Sequence, residues 1–195
     1  MPVFVINGFL EAGKTQFITN TLQQDYFQAT KASGNGGFEM IVLAPATVQE
    51  AVDLTYKAFD LADRDRNPVL ILADGVIGTM MEPVELPEMK SEEEVAAIRE
   101  SKKKWACIGH ELDLPNRSWI EPGQWDTNKM QRVNEEAAAL YASWEKDVMV
   151  EEYCTEDAEV VIAAYGISGR IAKSVVEMMR AEGKKVGLIR PITVH

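Results

Sequence analysis

Cysteine is scarce in this 195-residue chain, which contains only Cys107 and Cys154. The two cysteines lie far apart and form no CxxC pair, so they cannot supply the ligand set that a structural zinc ion or an iron–sulfur cluster needs. The sequence therefore predicts reduced core thiols. His110, Glu111 and Asp113 lie close together, but no second ligand cluster accompanies them, which favours a solvent-facing loop.

The chain also lacks an excess of positive charge and any long apolar run. The chain has 20 basic against 31 acidic residues, a net charge of −11, which would repel the phosphates of nucleic acids and of anionic membranes. No stretch approaches the ~18 consecutive apolar residues of a membrane span, and the N-terminus lacks the features of a signal peptide. We expect a cytoplasmic protein that binds neither nucleic acid nor membrane.

What is present is typical of a globular protein, with 46% hydrophobic and 26% charged residues. Apolar strands are predicted at residues 3–6, 41–44 and 69–73, while residues 25–39 are predicted to be irregular because SGNGG is flexible. Continuous apolar strands separated by a helix favour a parallel sheet that is covered on both faces.

The first long helix is predicted between the second and third strands. Thr47 and Glu50 form a capping box that opens it, and we expect it to end near Asp63. Its apolar side chains predict the face turned towards the sheet: Val48, Ala51, Val52, Phe59 and Ala62.

The middle of the chain is predicted to be a linker followed by helices. The stretch MEPVELPEMK (81–90) should be extended, and Ser91 with Glu94 caps a short helix that runs into the lysines at 102–104. Residues 128–149 predict a long amphipathic helix, packed on its own domain or on a partner subunit. Its apolar positions are Met130, Val133, Ala137, Leu140, Tyr141, Trp144 and Val148.

The C-terminal part predicts a second α/β unit. Strands are expected at 159–165 and 186–189, with a turn at Gly166–Gly169 and a helix at Ile171–Ala181. The turn resembles a Gly-rich nucleotide loop, but it lacks the glycine spacing of a dinucleotide fingerprint, which favours a plain strand–helix connection. One such unit cannot cover both edges of its own sheet, so this domain is predicted to be incomplete.

Residues 8–15, GFLEAGKT, match the phosphate-binding loop G-x-x-x-x-G-K-[ST]. Gly8 and Gly13 would let backbone N–H groups surround phosphates, Lys14 would reach the outer phosphates, and Thr15 could ligate Mg²⁺. The nearest aspartate that could complete such a site is Asp74, at the end of the third strand. The usual base-recognition motif fails, since residues 128–131 spell NKMQ.

The stretch MPVFVINGFLEAGKTQF resembles the N-termini of P-loop GTPases of the cobalamin-biosynthesis and metallochaperone type. That resemblance implies GTP as a ligand of residues 1–24. The Cys-rich metal motif of those GTPases is missing from this chain.

From Asp25 onward the sequence resembles another family. The stretches DYFQATKASGNGG, IVLAPATVQEAVDLTYKAFDLADRDRNPVLILADGVIGTMMEPVELP and DAEVVIAAYGISGRIAKSVVEMMRAEGKKVGLIRPIT are similar to the alpha subunit of 2-oxoacid:ferredoxin oxidoreductases, especially the 3-methyl-2-oxobutanoate (branched-chain) type. SGNGG carries Asn35 where that family commonly has a histidine.

The second resemblance implies an α/β fold. A partial parallel-sheet, thiamine-diphosphate-binding domain of the pyrimidine type would be followed by the start of a transketolase C-terminal-like α/β domain. We expect the P-loop-like segment at 1–24, the end of the pyrimidine-type domain at 25–82, a linker with the long helix at 83–150, and the second domain from 151 to 195.

The implied reaction is oxidative decarboxylation of a 2-oxoacid with coenzyme A, passing electrons to ferredoxin. Thiamine diphosphate and Mg²⁺ would be held mainly by a separate beta subunit, and a ferredoxin-like subunit would complete the complex. The family's activating glutamate and substrate-binding arginine lie upstream of the region of resemblance, where residues 1–24 stand here. No catalytic residue is therefore assigned.

Three hypotheses remain open from the sequence. The chain could be a partial alpha subunit that acts as a scaffold and is inactive alone, with two unrelated pieces joined near Gln24–Asp25. It could be a nucleotide-binding protein that uses Lys14 and Thr15. It could also be a non-enzymatic interaction module built around residues 128–149.

Overall fold

The fold is described from a computed structural model. It describes residues 3–7 (backbone only), 26–31, 37–103, 105–106 and 126–194. The chain forms two compact units: Met1–Leu86 together with Leu140–His195, and Pro87–Ala139. The first unit contains two sheets, here called the first sheet and the second sheet.

The first sheet is parallel, as predicted. Its strands are β1 (Val3–Asn7), β2 (Ile41–Leu43) and β3 (Val69–Ala73), in the order β1-β3-β2. All residues of β3 are buried. Since side chains alternate along a strand, Val69 and Ile71 pack in one hydrophobic cluster and Leu70 and Leu72 in another. The sheet is therefore covered on both faces, which explains the continuous apolar sequence of β3.

Helix α2 (Val48–Asp65) covers one face of this sheet. The predicted helix is confirmed, but of its predicted buried face only Ala62 is buried. Val48, Ala51 and Val52 are only partly buried, and Phe59 is 54% exposed. Each residue turns the helix by about 100°, so Phe59 lies beside the buried stripe. The side chains that pack on the sheet are Leu54, Ala58, Leu61 and Ala62.

The opposite face of the first sheet carries a short helix that the sequence did not predict, α1 (Tyr26–Thr30). Thr30 Oγ1 donates to the Tyr26 carbonyl oxygen at 2.8 Å, and Ala29 and Thr30 are buried. The Tyr26 ring lies 5.9 Å from the Tyr165 ring. A helix of this length is not stable alone, so these tertiary contacts stabilise it where residue preferences predicted a loop.

The second sheet has the order β4-β6-β5. Its strands are β4 (Val150–Tyr153), β5 (Val160–Ala163) and β6 (Val186–Pro191), with β5 parallel and β4 antiparallel to β6. Strands β5 and β6 were predicted, whereas β4 was not, because Glu151 and Glu152 make its sequence half polar.

Helix α6 (Gly166–Ala181) connects β5 to β6 and packs on the second sheet through Ala172 and Val176. The predicted turn at Gly166–Gly169 is wrong, because these residues form the first turn of the helix. Gly166 has φ +56°, a left-handed conformation that glycine adopts without strain.

Residues 192–194 connect the two sheets. Beyond β6 the chain runs antiparallel beside β2, with Ala44 N donating to Ile192 O at 2.8 Å and Val194 N donating to Val42 O at 2.9 Å. The buried Thr193 hydroxyl donates to Asp147 O and accepts from Met149 N. The edge of β2 is therefore paired by a segment that arrives from the second sheet.

The extended linker and the helix capped by Ser91 agree with the sequence prediction, whereas the long helix after them differs from it. α3 (Gly75–Thr79) precedes the extended stretch 81–90, and α4 (Glu92–Lys102) begins with a complete capping box of Ser91 and Glu94. α5 (Thr127–Ala142) continues into a 3₁₀ helix (Ser143–Asp147).

The long amphipathic helix is thus shorter than predicted. Trp144 is buried in the core of the first unit, where its indole N–H donates to Asp65 at 2.9 Å. Met130, Val133 and Val148 are 45–47% exposed. Within the described residues, every helix is too short or too polar to cross a membrane.

We expect Ile71→Ala to destabilise the chain by about 2–4 kcal/mol, because Ile71 is 1% exposed and its loss leaves a cavity under α2. The matched control Ile171→Ala removes the same atoms at a position that is 56% exposed, and should change stability by less than about 0.5 kcal/mol. Urea unfolding followed by circular dichroism measures both. Equal losses in the two variants would contradict the assigned core.

Candidate functional site

The carboxyl edge of the first sheet is the place where open α/β sheets usually bind ligands. β1 ends at Asn7, which pairs with Ala73, so both strands end at the edge where Asp74 follows. The predicted phosphate-binding residues come directly after β1 in the sequence but lie outside the described residues; they are Gly8, Gly13, Lys14 and Thr15.

Asp74 is buried and joins two helix N-termini. Its Oδ1 accepts from Val76 N at 2.8 Å and from Ile77 N at 3.1 Å, which caps α3, and its Oδ2 accepts from Ile167 N at 3.3 Å in the first turn of α6. A carboxylate is favoured there because helix N-termini carry unpaired N–H groups and a positive partial charge. Asp74 therefore holds the carboxyl edge of the first sheet to the first turn of α6.

A buried arginine joins α2, which covers the first sheet, to the second sheet. Arg190 on β6 donates from Nη1 and Nη2 to the two carboxylate oxygens of Glu50 on α2, at 3.0 and 2.6 Å. Its Nε donates to Glu151 on β4 at 2.5 Å. The Arg190 side chain is only 6% exposed. A bidentate guanidinium–carboxylate pair fixes direction as well as distance, so it holds α2 in a defined position against the second sheet.

The two carboxylates have further partners. Glu50 accepts from Ala46 N at 2.8 Å, so it does not complete the predicted capping box, of which only the bond from Glu50 N to Thr47 Oγ1 forms. Glu151 accepts from Lys173 Nζ at 2.5 Å. We call Glu50, Arg190, Glu151 and Lys173 the Arg190 bridge.

The contacts of the bridge shift the pKa values of Glu151 and Arg190. Partial burial acts to raise the pKa of Glu151, but hydrogen bonds from Lys173 and Arg190 outweigh it and hold that pKa below its usual range. Burial acts to lower the pKa of Arg190, while hydrogen bonds from Glu50 and Glu151 raise it overall. The charged forms are therefore mutually stabilised.

Gly169 makes room for the bridge. A Cβ placed on it would lie 2.7 Å from Arg190 Cδ and 2.9 Å from Ala164 O, closer than such atoms approach in proteins. The glycine that resembled a nucleotide-loop residue thus allows α6 to approach β6 over the Arg190 stem.

A second ion pair lies at the start of α2. Arg170 Nη2 donates to Glu82 Oε1 at 2.6 Å, and Glu82 Oε2 also accepts from Val48 N at 3.3 Å. Hydrogen bonds from Arg170 and from Val48 N lower the pKa of Glu82. Next to it, the Gln49 amide donates to Glu85 O at 2.9 Å and accepts from Glu85 N at 2.8 Å.

No group of three or more histidine, cysteine, aspartate or glutamate side chains is arranged to hold a metal ion in the part of the chain that the structure describes. The candidate cluster His110, Glu111 and Asp113 lies outside that part.

Two family models match the sequence. Residues 3–154 match "pyruvate flavodoxin/ferredoxin oxidoreductase, thiamine diP-bdg", and residues 158–195 match "pyruvate:ferredoxin oxidoreductase core domain II". The chain belongs to the pyruvate flavodoxin/ferredoxin oxidoreductase family. This confirms the resemblance on which the α/β fold and the thiamine-diphosphate-type domain were predicted.

Curated members of the oxidoreductase family are similar over most of this chain. Ketoisovalerate oxidoreductase subunit VorB of Methanothermobacter marburgensis is 45% identical over 173 residues, 88% of this chain and 47% of VorB. The 2-oxoglutarate synthase subunit KorA of Archaeoglobus fulgidus is 29% identical over 97% of this chain and 53% of KorA. The chain thus spans about half the length of these relatives.

A solved structure of the family has the same fold. The 2-oxoglutarate:ferredoxin oxidoreductase from Magnetococcus marinus, with 2-oxoglutarate, coenzyme A and succinyl-CoA bound, superposes with a TM-score of 0.63 at 19% identity. The match covers 88% of this chain and 33% of that one.

The oxidoreductase family model begins at residue 3 and so includes most of the segment that resembled a P-loop GTPase. Neither matching model is that of a P-loop protein. The GTPase resemblance of residues 1–24, and a junction near Gln24–Asp25, gain no support from these matches and stay predictions.

The charged side chains described above are engaged within the chain and offer thiamine diphosphate no uncommitted partner. An aminopyrimidine ring needs a carboxylate to bind its ring nitrogen, and a diphosphate needs cations or open helix N-termini. At this edge Asp74, Glu50 and Glu82 are all engaged by N–H groups or guanidinium groups of the chain, and Arg170 and Arg190 are both paired.

The sequence analysis did not find the bridge. Arg190 and Glu151 lie in strands where no local pattern marks a functional residue, and they meet Glu50 only through the topology. The one available signal was an arginine inside an otherwise apolar strand, which is costly to bury without a partner.

We expect Arg190→Met to destabilise the chain by about 2–3 kcal/mol, because it leaves Glu50 without its cation and Glu151 with Lys173 alone. This estimate lies below that for a fully buried pair, since Glu50 and Glu151 are still 28% and 25% exposed. Lys185→Met removes a cation whose partner Glu159 is exposed, and should cost less than about 1 kcal/mol. Urea unfolding at neutral pH compares them, and equal stability of Arg190→Met and the parent chain would refute the assigned role.

The Arg190 bridge also predicts that the stability of the folded chain depends on pH. In the unfolded chain a glutamate side chain has its ordinary pKa of about 4.3. The pKa of Glu151 is lower in the folded chain than in the unfolded chain. The contribution of Glu151 to the free energy of unfolding is therefore fully present above the unfolded pKa and is lost as the pH falls through the folded pKa. The stability gap between the parent chain and Arg190→Met should therefore narrow on acidification. Urea unfolding from pH 7 downwards measures the gap, and a constant gap would contradict this coupling.

Proposed function

We propose that this chain is part of the alpha subunit of a thiamine-diphosphate-dependent 2-oxoacid:ferredoxin oxidoreductase of the branched-chain type. The observation that carries the proposal is its 45% identity with a ketoisovalerate oxidoreductase subunit over 88% of the chain. The assembled enzyme would convert a 2-oxoacid, coenzyme A and two oxidised ferredoxins into acyl-CoA, CO₂, two reduced ferredoxins and a proton.

Within that complex the chain acts as a framework. The Arg190 bridge and Asp74 hold the first sheet against α6 and the second sheet, so the two α/β layers present one fixed surface. The charged groups at the sheet edge are already used by these contacts. Thiamine diphosphate with Mg²⁺ would supply the carbanion-stabilising chemistry, held mainly by a beta subunit.

The test measures assembly and turnover separately. The purified chain should form a complex with the thiamine-diphosphate-binding subunit of a ketoisovalerate oxidoreductase, detected by sedimentation velocity. Without that subunit it should not reduce methyl viologen when given 3-methyl-2-oxobutanoate, coenzyme A, thiamine diphosphate and Mg²⁺, and the intact enzyme serves as the positive control. Turnover by the chain alone would contradict the framework role, and absence of a complex would contradict the subunit assignment.

A second candidate function is nucleotide binding at Gly8, Gly13, Lys14 and Thr15. It is favoured by the position of β1, which is a strand of a parallel sheet that ends directly before this motif. If it holds, GTP with Mg²⁺ should raise the melting temperature by a few degrees, Lys14→Ala should abolish the rise, and the control Lys31→Ala should keep it. An unchanged melting temperature in the parent chain would eliminate this candidate.

A further inference from the structure

The segment Met81–Leu86, which follows α3 and ends the first part of the first compact unit, exposes apolar side chains along an extended path. Met81 is 96% exposed, Leu86 is 78% exposed and Val84 is 37% exposed. Single exposed apolar residues are ordinary, but three within one six-residue segment indicate a contact surface.

Polar contacts hold this segment in place. Glu82 is bound by Arg170 and by Val48 N, and the Gln49 amide pairs with both backbone groups of Glu85. Gln49 is itself oriented by Asp53, whose Oδ1 accepts from Gln49 Nε2 at 2.9 Å. The path of the segment is therefore fixed before any partner arrives, which lowers the entropy cost of binding.

The anchoring contacts leave the rest of the segment open. Within the described residues, no backbone-to-backbone hydrogen bond ties residues 81–86 to another element. Met81 to Leu86 spans about 16 Å at about 3.3 Å per residue of extended chain. We call this exposed extended segment the ridge; apolar side chains presented along an extended chain of this length suit a protein groove better than a small molecule.

The acidic residues near the ridge indicate which chemistry a partner's groove would need. Glu85 and Asp53 are exposed beside the apolar side chains, and the whole chain carries a net charge of −11. A complementary partner therefore has an apolar floor to receive Met81 and Leu86 and basic side chains at its rim.

We propose that Met81–Leu86 is the ridge by which this chain docks into an apolar, basic-rimmed groove of the thiamine-diphosphate-binding subunit of the same oxidoreductase. This inference rests on the proposed function. The occupant is a companion subunit because the relatives of this chain are themselves named as subunits, and because the ridge lies inside the family-matched residues 3–154.

The experiment compares two double variants in binding to the purified thiamine-diphosphate-binding subunit of a ketoisovalerate oxidoreductase. Met81→Glu with Leu86→Glu should weaken the affinity at least about tenfold, as expected for central contact residues. The matched control, Ile171→Glu with Met178→Glu, adds the same charges at exposed positions of α6 and should stay within about twofold of the parent chain. Isothermal titration calorimetry measures the affinities.

Two further measurements make the test independent of these variants. In the parent chain, hydrogen exchange at the amides of residues 81–86 should slow when the companion subunit binds. Glu85→Lys should weaken binding and reduce its salt dependence, whereas Glu156→Lys, an exposed control in the turn before β5, should not.

Each outcome decides the proposal. Loss of affinity only in the ridge variant, with protection of residues 81–86, supports it. An unchanged affinity of the ridge variant, or equal losses in both double variants, overturns the docking ridge while the subunit assignment stands. Failure of the parent chain to bind overturns both. A dimer of the chain that the ridge variant dissociates would show that a second copy is the occupant, and also overturns the proposal.

Discussion

The guanidinium of Arg190 is the contact on which the arrangement of the first compact unit depends. It is almost completely buried and lies between Glu50 of α2 and Glu151 of β4, so it joins the helix that covers the first sheet to strands of the second sheet that are distant from it in sequence. A buried cation is tolerated only when carboxylates compensate its lost hydration. This requirement makes the position of α2 relative to the second sheet specific, whereas hydrophobic burial alone would allow sliding.

Other features of the unit reinforce the same junction. Gly169 leaves space for the Arg190 stem, Asp74 caps α3 and binds the first turn of α6, and residues 192–194 pair with β2. Polar groups at the carboxyl edge of the sheet are thereby used in joining the sheets. These contacts support the proposed framework role of the first compact unit, with the ridge Met81–Leu86 as its proposed docking surface.

Local sequence patterns predicted the strands β1, β2, β3, β5 and β6, the helices α2 and α4, and the parallel first sheet, because each rests on nearby residues. They failed where tertiary contacts decide. Helix α1 exists through the packing of Tyr26 and Ala29, and β4 is defined by pairing with β6 despite two glutamates. The Arg190 bridge has no local signature at all. Family resemblance supplied the fold and the function class, which composition and periodicity could not.

Native-state hydrogen exchange of the amides in β3 and β6 tests the central claim most directly, because it measures whether the two sheets open together. We predict that in the parent chain Leu70 and Leu188 exchange through the same opening, with the same dependence on denaturant. In Arg190→Met, the amide of Leu188 should exchange through a lower-energy opening while that of Leu70 still follows global unfolding. Independent opening of the two strands in the parent chain would contradict the account.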